Sequence, residues 1–281
     1  MSLPDLLIEP IVRSALLEDL GRAGDLTTDA LIGPERTAKA AIVARQPGTV
    51  AGVRCAEIAF ALMDPAARLT VHAPDGTRVA PGDAVLTVEG KARALLSAER
   101  VGLNLACRLS GIATATAALV EAVAGTKAKI TCTRKTTPGL RALEKAAVRA
   151  GGGANHRFGL DDAVLIKDNH IAVAGGVAIA IETIRARVGH LVKIEVEVDT
   201  LDQLREAMPA APDAVLFDNM GPEALAQAVD IVAGCAITEA SGGITLESAP
   251  AIAETGVDIL SAGWLTHSSK ALDLGLDIVV D

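Results

Sequence analysis

From about residue 128 onward, short β-branched runs alternate with helix-like segments, and that alternation constrains the fold more than any other feature of the chain. The runs are KITCT near 131, AVLIK near 165, KIEVEV near 196, AVLFD near 216, AITEA near 238 and DILSAG near 260. Among the segments between them are GLRALEKAAVRAG, LDQLREAM, PEALAQAVDIVAG and ESAPAIAETG. Six strand–helix alternations, the last four spaced by about 20 residues, predict a parallel α/β barrel. A doubly wound open sheet is the competitor, but no G-x-G-x-x-G opens any of these helices.

Each predicted strand ends in a reactive or hydrogen-bonding group: Arg134-Lys135, Lys167-Asp168, Glu197, Asp218-Asn219, Ser241-Gly242-Gly243 and Ser261-Ala262-Gly263. One polar strand end is an ordinary terminus. Six of them on parallel strands would converge on one face, where barrel enzymes keep their chemistry.

Residues 1 to about 95 have another rhythm. KAAIVARQPGTVAG and RLTVHAPDGTRVAPGDAVLTVEG alternate apolar and polar residues between Pro-Gly and Asp-Gly turn signals, which predicts a small, largely antiparallel sheet. A long helix follows, with Val101, Leu105, Leu109 and Ile112 at helical spacing. Arg100, Asn104 and Arg108 form a polar stripe on it, whose simplest reading is a solvated face.

Charge narrows the ligand. The 281-residue chain carries -9, yet residues 131–170 hold seven Lys and Arg against four Asp and Glu, a local +3 that leaves -12 elsewhere. A cationic segment in an acidic chain suits a small polyanion drawn into a cleft. Arginine can grip its carboxylates or phosphates with two parallel bonds, and lysine supplies compact charge. Some of these cations, notably Arg141, Lys145 and Arg149, fall on a predicted helix and read equally as solvated. Glu197 and Asp218, on consecutive strands, suit Mg2+, sugar hydroxyls or acid–base work. The small-residue loops 241–243 and 261–263 lie where barrels often bind phosphate through backbone N–H groups. The chain has no tyrosine and only Phe60, Phe158, Phe217 and Trp264 as aromatics, so it lacks the rings and basic surplus of a nucleic-acid binder. A zinc reading of His156 and His170 fails for want of a nearby cysteine or an H-x-x-x-H spacing. Four scattered cysteines, no basic-then-apolar N-terminal leader and no apolar run of about 18 residues predict a reduced, cytoplasmic protein with no membrane span.

These residues carry a resemblance. ERVGLNLACRLSGIAT, TRKTTPGLRALEKAAVRAGGGANHRFGLDDAVLIKDNHI, EVEVD, VLFDNM, EASGGI and GVDILSAGWLTHS, with GDLTT near the start, run in order over most of the chain. Together they closely resemble the quinolinate phosphoribosyltransferase family. The resemblance implies an N-terminal α/β sandwich over 1–108, an incomplete α/β barrel over 109–269, and a tail at 270–281 packed on the sandwich. It implies conversion of quinolinate and phosphoribosyl pyrophosphate into nicotinate mononucleotide, pyrophosphate and carbon dioxide with Mg2+, feeding NAD synthesis. It also implies a homodimer in which Arg100 enters the partner's site. Carried over by motif, Arg134, His156, Arg157 and Lys167 would surround the quinolinate carboxylates, and Thr133 would also bind substrate. Lys135 would lie near the reacting groups, Glu197 and Asp218 would hold the ribose hydroxyls and Mg2+, and Ser241, Gly242, Gly243, Ser261, Ala262 and Gly263 would take the 5′-phosphate. Lys135, Glu197 and Asp218 are thus the expected catalytic residues. Alternatives weighed against this are a molybdenum-transport-linked relative, a silent phosphosugar-binding barrel and a nicotinate-specific transferase. The intact NHR, IKDNHI and SGGI motifs favour the quinolinate enzyme over the molybdenum-linked relative.

Overall fold

The computed structural model describes residues 3–279. In chain order the first elements are α1 (Asp5–Leu20), α2 (Leu26–Leu31), β1 (Thr37–Ala44), β2 (Gly48–Thr49), α3 (Val53–Met63), β3 (Arg68–Val71), β4 (Arg78–Val79), β5 (Ala84–Lys91) and α4 (Ala92–Ala122). There follow β6 (Lys129–Thr131), α5 (Arg141–Ala150), β7 (Val164–Ile166), α6 (Asp168–Ala174), α7 (Val177–Arg185), β8 (Ile194–Val198) and α8 (Leu201–Ala207). The last are β9 (Ala214–Asp218), α9 (Pro222–Val232), β10 (Ile237–Ser241), α10 (Ala249–Glu254), β11 (Ile259–Ser261) and β12 (Leu274–Val279). The chain divides into two compact units, and they interleave. One comprises the stretch to Ala117, Thr136–Gly152 and the segment from Leu265; the other comprises Ala118–Lys135 and Gly153–Trp264. The expected boundary at 108/109 lies within α4.

The first unit is built on an antiparallel sheet of order β12-β1-β5-β3. Strand β1 alternates as its sequence does, with Ala40, Ile42 and Ala44 buried. The terminal strand β12 completes the sheet by pairing with β1 from Lys39↔Val279 to Ala44↔Leu274. Helix α1 buries Ile8, Val12 and Leu16, a stripe of three residues spaced four apart, while α3 buries Ala56, Ala59 and Phe60.

Two basic residues read as solvated turn out to be core. Arg108 is three-quarters buried and donates to the fully buried Glu144 through Nη2 (3.0 Å) and Nε (3.3 Å). Arg108 also donates to the carbonyls of Ser269 and Thr266. Glu144 accepts two further bonds, from the Thr137 N–H (3.0 Å) and its hydroxyl (2.8 Å). Lys145, on the same helix α5, is 1% exposed. Replacing Glu144 with glutamine removes a buried charge that Arg108 requires and turns one acceptor into a donor. Glu144→Gln is expected to cost about 3 kcal/mol, seen as a lowered midpoint in urea unfolding with an unchanged m-value. A loss below half a kcal/mol would show the network to be dispensable.

The second unit is a six-stranded parallel sheet of order β6-β11-β10-β9-β8-β7. Its edges are β6 and β7, neighbours in sequence, so the strands wrap in chain order and stop short of closing. This is the expected incomplete barrel, and the gap has a cause. The chain between β6 and β7 departs into the first unit at Thr136 and returns at Gly153. On its return Ala154 donates to the Ile130 carbonyl (2.7 Å) and forms a single parallel bridge with Thr131. Residues 154–157 therefore run beside β6, where a closed barrel would have another strand.

Candidate active site

Register sets the site's floor. Ser241 pairs with both Asp218 and Ser261, and Ser261 pairs with Thr131, so four strand ends share one level at the carboxyl edge of the sheet. Glu197 pairs with Leu216, two residues below Asp218 on the neighbouring strand, and the two carboxylates share a face. Arg134 and Lys135 follow β6 directly, and Lys167 follows β7. The structure thus gathers most of the sequence-predicted residues on one end of one sheet.

The cations are arranged for something anionic. Arg134 and Arg157 are half-buried, and the Nε of each is buried without a hydrogen-bond partner. Arg157 donates through Nη1 to the Ala163 carbonyl (3.1 Å). Burial holds the Arg157 pKa below the usual guanidinium value, and the neighbouring charge of Arg134 pushes it the same way. Two like charges with idle buried donors are costly in an empty protein. Lys167 Nζ meets Glu197 Oε2 at 2.6 Å, and the Lys167 N–H is fixed by His170 Nδ1 at 2.9 Å. The Thr133 hydroxyl accepts the Lys135 N–H (3.0 Å), turning the chain so that the Lys135 side chain is exposed.

On the opposite strands, Asp218 Oδ2 accepts from Asn219 Nδ2 (2.7 Å), and the Asn219 N–H donates to the Ser241 carbonyl (2.9 Å). Asn219 sits at φ 54°, a left-handed conformation asparagine tolerates. Gly242 lies at φ 91° against Asn219, so a Cβ there would strike the Asn219 side chain. The loop after β10 must therefore be glycine for two independent reasons. Trp264 Nε1 donates to the Ile244 carbonyl (2.8 Å), tying the loops after β10 and β11 together.

Three of the expected site residues are engaged within the protein. The Ala262 N–H donates to the Thr131 carbonyl (3.0 Å), and Ser261 and Ala262 are 3% and 2% exposed. Parallel pairing with β6 uses that donor. His156 is held by its neighbours. Its Nδ1 accepts the Arg157 N–H (2.7 Å), and its Nε2 lies 2.9 Å from Glu195 Oε2 and 3.7 Å from Glu239 Oε1. Glu195 and Glu239 were absent from the predicted site. A signal for them existed, since each lies two residues before a predicted site residue, Glu197 or Ser241, and shares its face. Ligand atoms of this triad lie within 4.8 Å of one another, but an N–H already spans Nε2 to Glu195, and Arg157 supplies positive charge beside it.

Comparison with known proteins fits this geometry. The family descriptions "Quinolinate phosphoribosyl transferase, N-terminal domain" and "Quinolinate phosphoribosyl transferase, C-terminal domain" match residues 25–110 and 112–277. The chain belongs to the quinolinate phosphoribosyltransferase family. Among its relatives, the probable nicotinate-nucleotide pyrophosphorylase [carboxylating] of Bacillus subtilis is 47% identical over 98% of this chain and 94% of that one. The nicotinate-nucleotide pyrophosphorylase [carboxylating] of Mycobacterium leprae is also 47% identical, over 95% of each. The solved NadC of Streptococcus pyogenes superposes with a TM-score of 0.96 at 39% identity, covering 100% of this chain and 99% of that one. The quinolinate phosphoribosyltransferase fold, an N-terminal α/β domain and a barrel-like second domain, is the one the resemblance implied, and the strand–helix rhythm pointed to its barrel.

Proposed function

We propose that this chain transfers the phosphoribosyl group of phosphoribosyl pyrophosphate to the ring nitrogen of quinolinate, with decarboxylation, in NAD synthesis. The observation that carries this reading is the pair of buried, partnerless guanidinium Nε atoms of Arg134 and Arg157. A vicinal dicarboxylate offers four acceptor oxygens at a spacing two arginine forks can share. In the reaction the bond from ribose C1′ to the pyrophosphate oxygen breaks and a bond from C1′ to the ring nitrogen forms. The ring nitrogen becomes cationic, the bond from C2 to its carboxylate then breaks as carbon dioxide, and the electron pair left on C2 takes a proton.

Each residue has work in that sequence. Arg134 and Arg157 align the diacid. Lys167 exchanges Glu197 for a substrate anion, which frees Glu197 to join Asp218 at the ribose hydroxyls. Their two carboxylates favour the oxocarbenium-like ribose that forms as pyrophosphate departs. Lys135 offsets the leaving group's charge, and the Gly242-Gly243 loop receives the 5′-phosphate. No side chain needs to form a covalent bond, since bringing two mutually repelling anions into register is the main task. Glu197 and Asp218 also fit Mg2+, because the donor set is all oxygen and, among the described residues, Lys167 occupies only Oε2 of Glu197 and Asn219 only Oδ2 of Asp218. Bound there with pyrophosphate, the ion would neutralise leaving-group charge.

The assembly we propose is a homodimer with Arg100 entering the partner's site. Arg100 is supported in this by its position: its side chain is 62% exposed on α4, and among the described residues its one ion pair is with its neighbour Glu99 at 3.6 Å. A cytoplasmic setting is supported by the cysteines, none of which forms a disulfide among the described residues.

The test is release of labelled carbon dioxide from carboxyl-labelled quinolinate. Release that requires both phosphoribosyl pyrophosphate and Mg2+, with nicotinate mononucleotide formed, is the expected result. Folded protein that releases none would sink the reading in favour of the molybdenum-linked relative or a sensor.

A further inference from the structure

Beneath the arginine pair lies a buried acid that the reaction does not use. Glu239, on β10, is 3% exposed, and its Oε1 has no hydrogen-bond partner. Glu195 faces it from β8, His156 from the segment beside β6, and the Ser261 hydroxyl from β11; its register partner on β9 is the apolar Leu216. Glu195 in turn interacts with the charge of Arg157, which is neighboured by Arg134.

The hydrogen bonds fix the protons. Because His156 Nδ1 accepts the Arg157 N–H, that nitrogen carries no proton, so the ring is neutral with its hydrogen on Nε2. That hydrogen goes to Glu195 at 2.9 Å. Glu195 is therefore an anion with two supports, the imidazole N–H and the Arg157 charge. Glu239 makes no ion pair with Lys or Arg among the described residues, and His156, 3.7 Å away, only partly offsets the cost of a second carboxylate beside the first in the same dry space.

We infer that Glu239 is a proton holder coupled to the substrate site, so that binding of the quinolinate dianion is accompanied by proton uptake at Glu239. This rests on the transferase reading above. When the dianion claims Arg134 and Arg157, their charge no longer compensates the carboxylates below. The proton on Glu239 is then held more tightly. Burial, followed by the charge of Glu195, already raises the Glu239 pKa to about 7 in the free protein. A rise of about one further unit on binding would take its occupancy at pH 8 from ~0.1 to ~0.5 proton. The sign follows directly: the complex holds more protons than the free protein, so affinity falls as pH rises. The other titratable groups near the cations include Lys135, Lys167, Glu197 and His170, and a variant at Glu239 alone separates its proton from theirs.

The experiment is calorimetric titration of quinolinate alone, without phosphoribosyl pyrophosphate, into full-length protein at pH 8 in phosphate, HEPES and Tris. The preparation is first shown to release carbon dioxide, so a null outcome speaks to the proton and not to the reaction. Expected is a binding heat that varies linearly with the buffer's protonation enthalpy, with a slope of about 0.4 proton taken up per site. Affinity should fall several-fold between pH 7 and 9. Glu239→Gln should still bind quinolinate but lose both the slope and the pH dependence. Binding heats identical in all three buffers overturn the coupling, and a slope that survives in Glu239→Gln overturns its assignment to Glu239.

Discussion

Arg134→Ala should lower kcat/KM for quinolinate by a factor of roughly 10²–10⁴ while leaving the folded protein as stable as before, or more so. The size follows from the loss of a charge-assisted fork in a partly dry pocket, about 3–5 kcal/mol of binding when a charged partner is left unmatched. The unusual half is the stability. Arg134 Nε makes no hydrogen bond in the empty protein, and the Arg134 charge is one that Arg157 must bear. Removing it costs no hydrogen bond at Nε and relieves a repulsion, so the melting temperature should hold or rise. Steady-state kinetics with each substrate varied, beside a thermal melt, checks both halves. A drop of less than tenfold would falsify the role of Arg134 in gripping the diacid. A large fall in melting temperature would instead mark it as a structural residue.

Mixing two dead variants should give back a live enzyme. Arg100→Ala and Lys135→Ala are each expected to lose at least about 99% of activity, since each removes a cation from a site handling two polyanions. If Arg100 serves the partner's site, a hybrid dimer carries one site with both defects and one with neither. Random exchange makes half the dimers hybrid, so an equal mixture should recover about a quarter of wild-type activity. Subunit exchange verified by mass, with no recovery, would show that Arg100 and Lys135 act within the same chain or that Arg100 does not act at all.

How much of this was legible in the chain itself varies from element to element. The six strands and their polar ends were, because the β-branched runs and turn residues that specify them are local. Every one of those runs became a strand of the second unit's sheet, although KITCT, AVLIK and DILSAG shrank to three residues each, Lys129–Thr131, Val164–Ile166 and Ile259–Ser261. The carboxylates Glu197 and Asp218 and the cations Arg134, Lys135 and Lys167 could be placed at one rim, since parallel strands must end on the same side. The antiparallel sheet of the first unit was equally readable from alternation and from its Pro-Gly and Asp-Gly turns.

Burial and partnership were not. Arg108 and Lys145 look like surface residues on amphipathic helices, and only the packing around Glu144 shows that Arg108 closes a buried network. His156 reads as a donor waiting for substrate until β8 and β10 bring Glu195 and Glu239 against it from 39 and 83 residues away. Ala262 reads as part of a phosphate loop until β11 pairs with β6 and consumes its N–H. Sequence alone determined which residues could form strands, where those strands end and which reactive groups stand at the ends, because backbone preference and side-chain alternation act over a few neighbouring residues. Only the tertiary structure decided which of those groups are free to meet a ligand, because a hydrogen-bond partner or a counter-charge is supplied by whichever distant strand folds alongside.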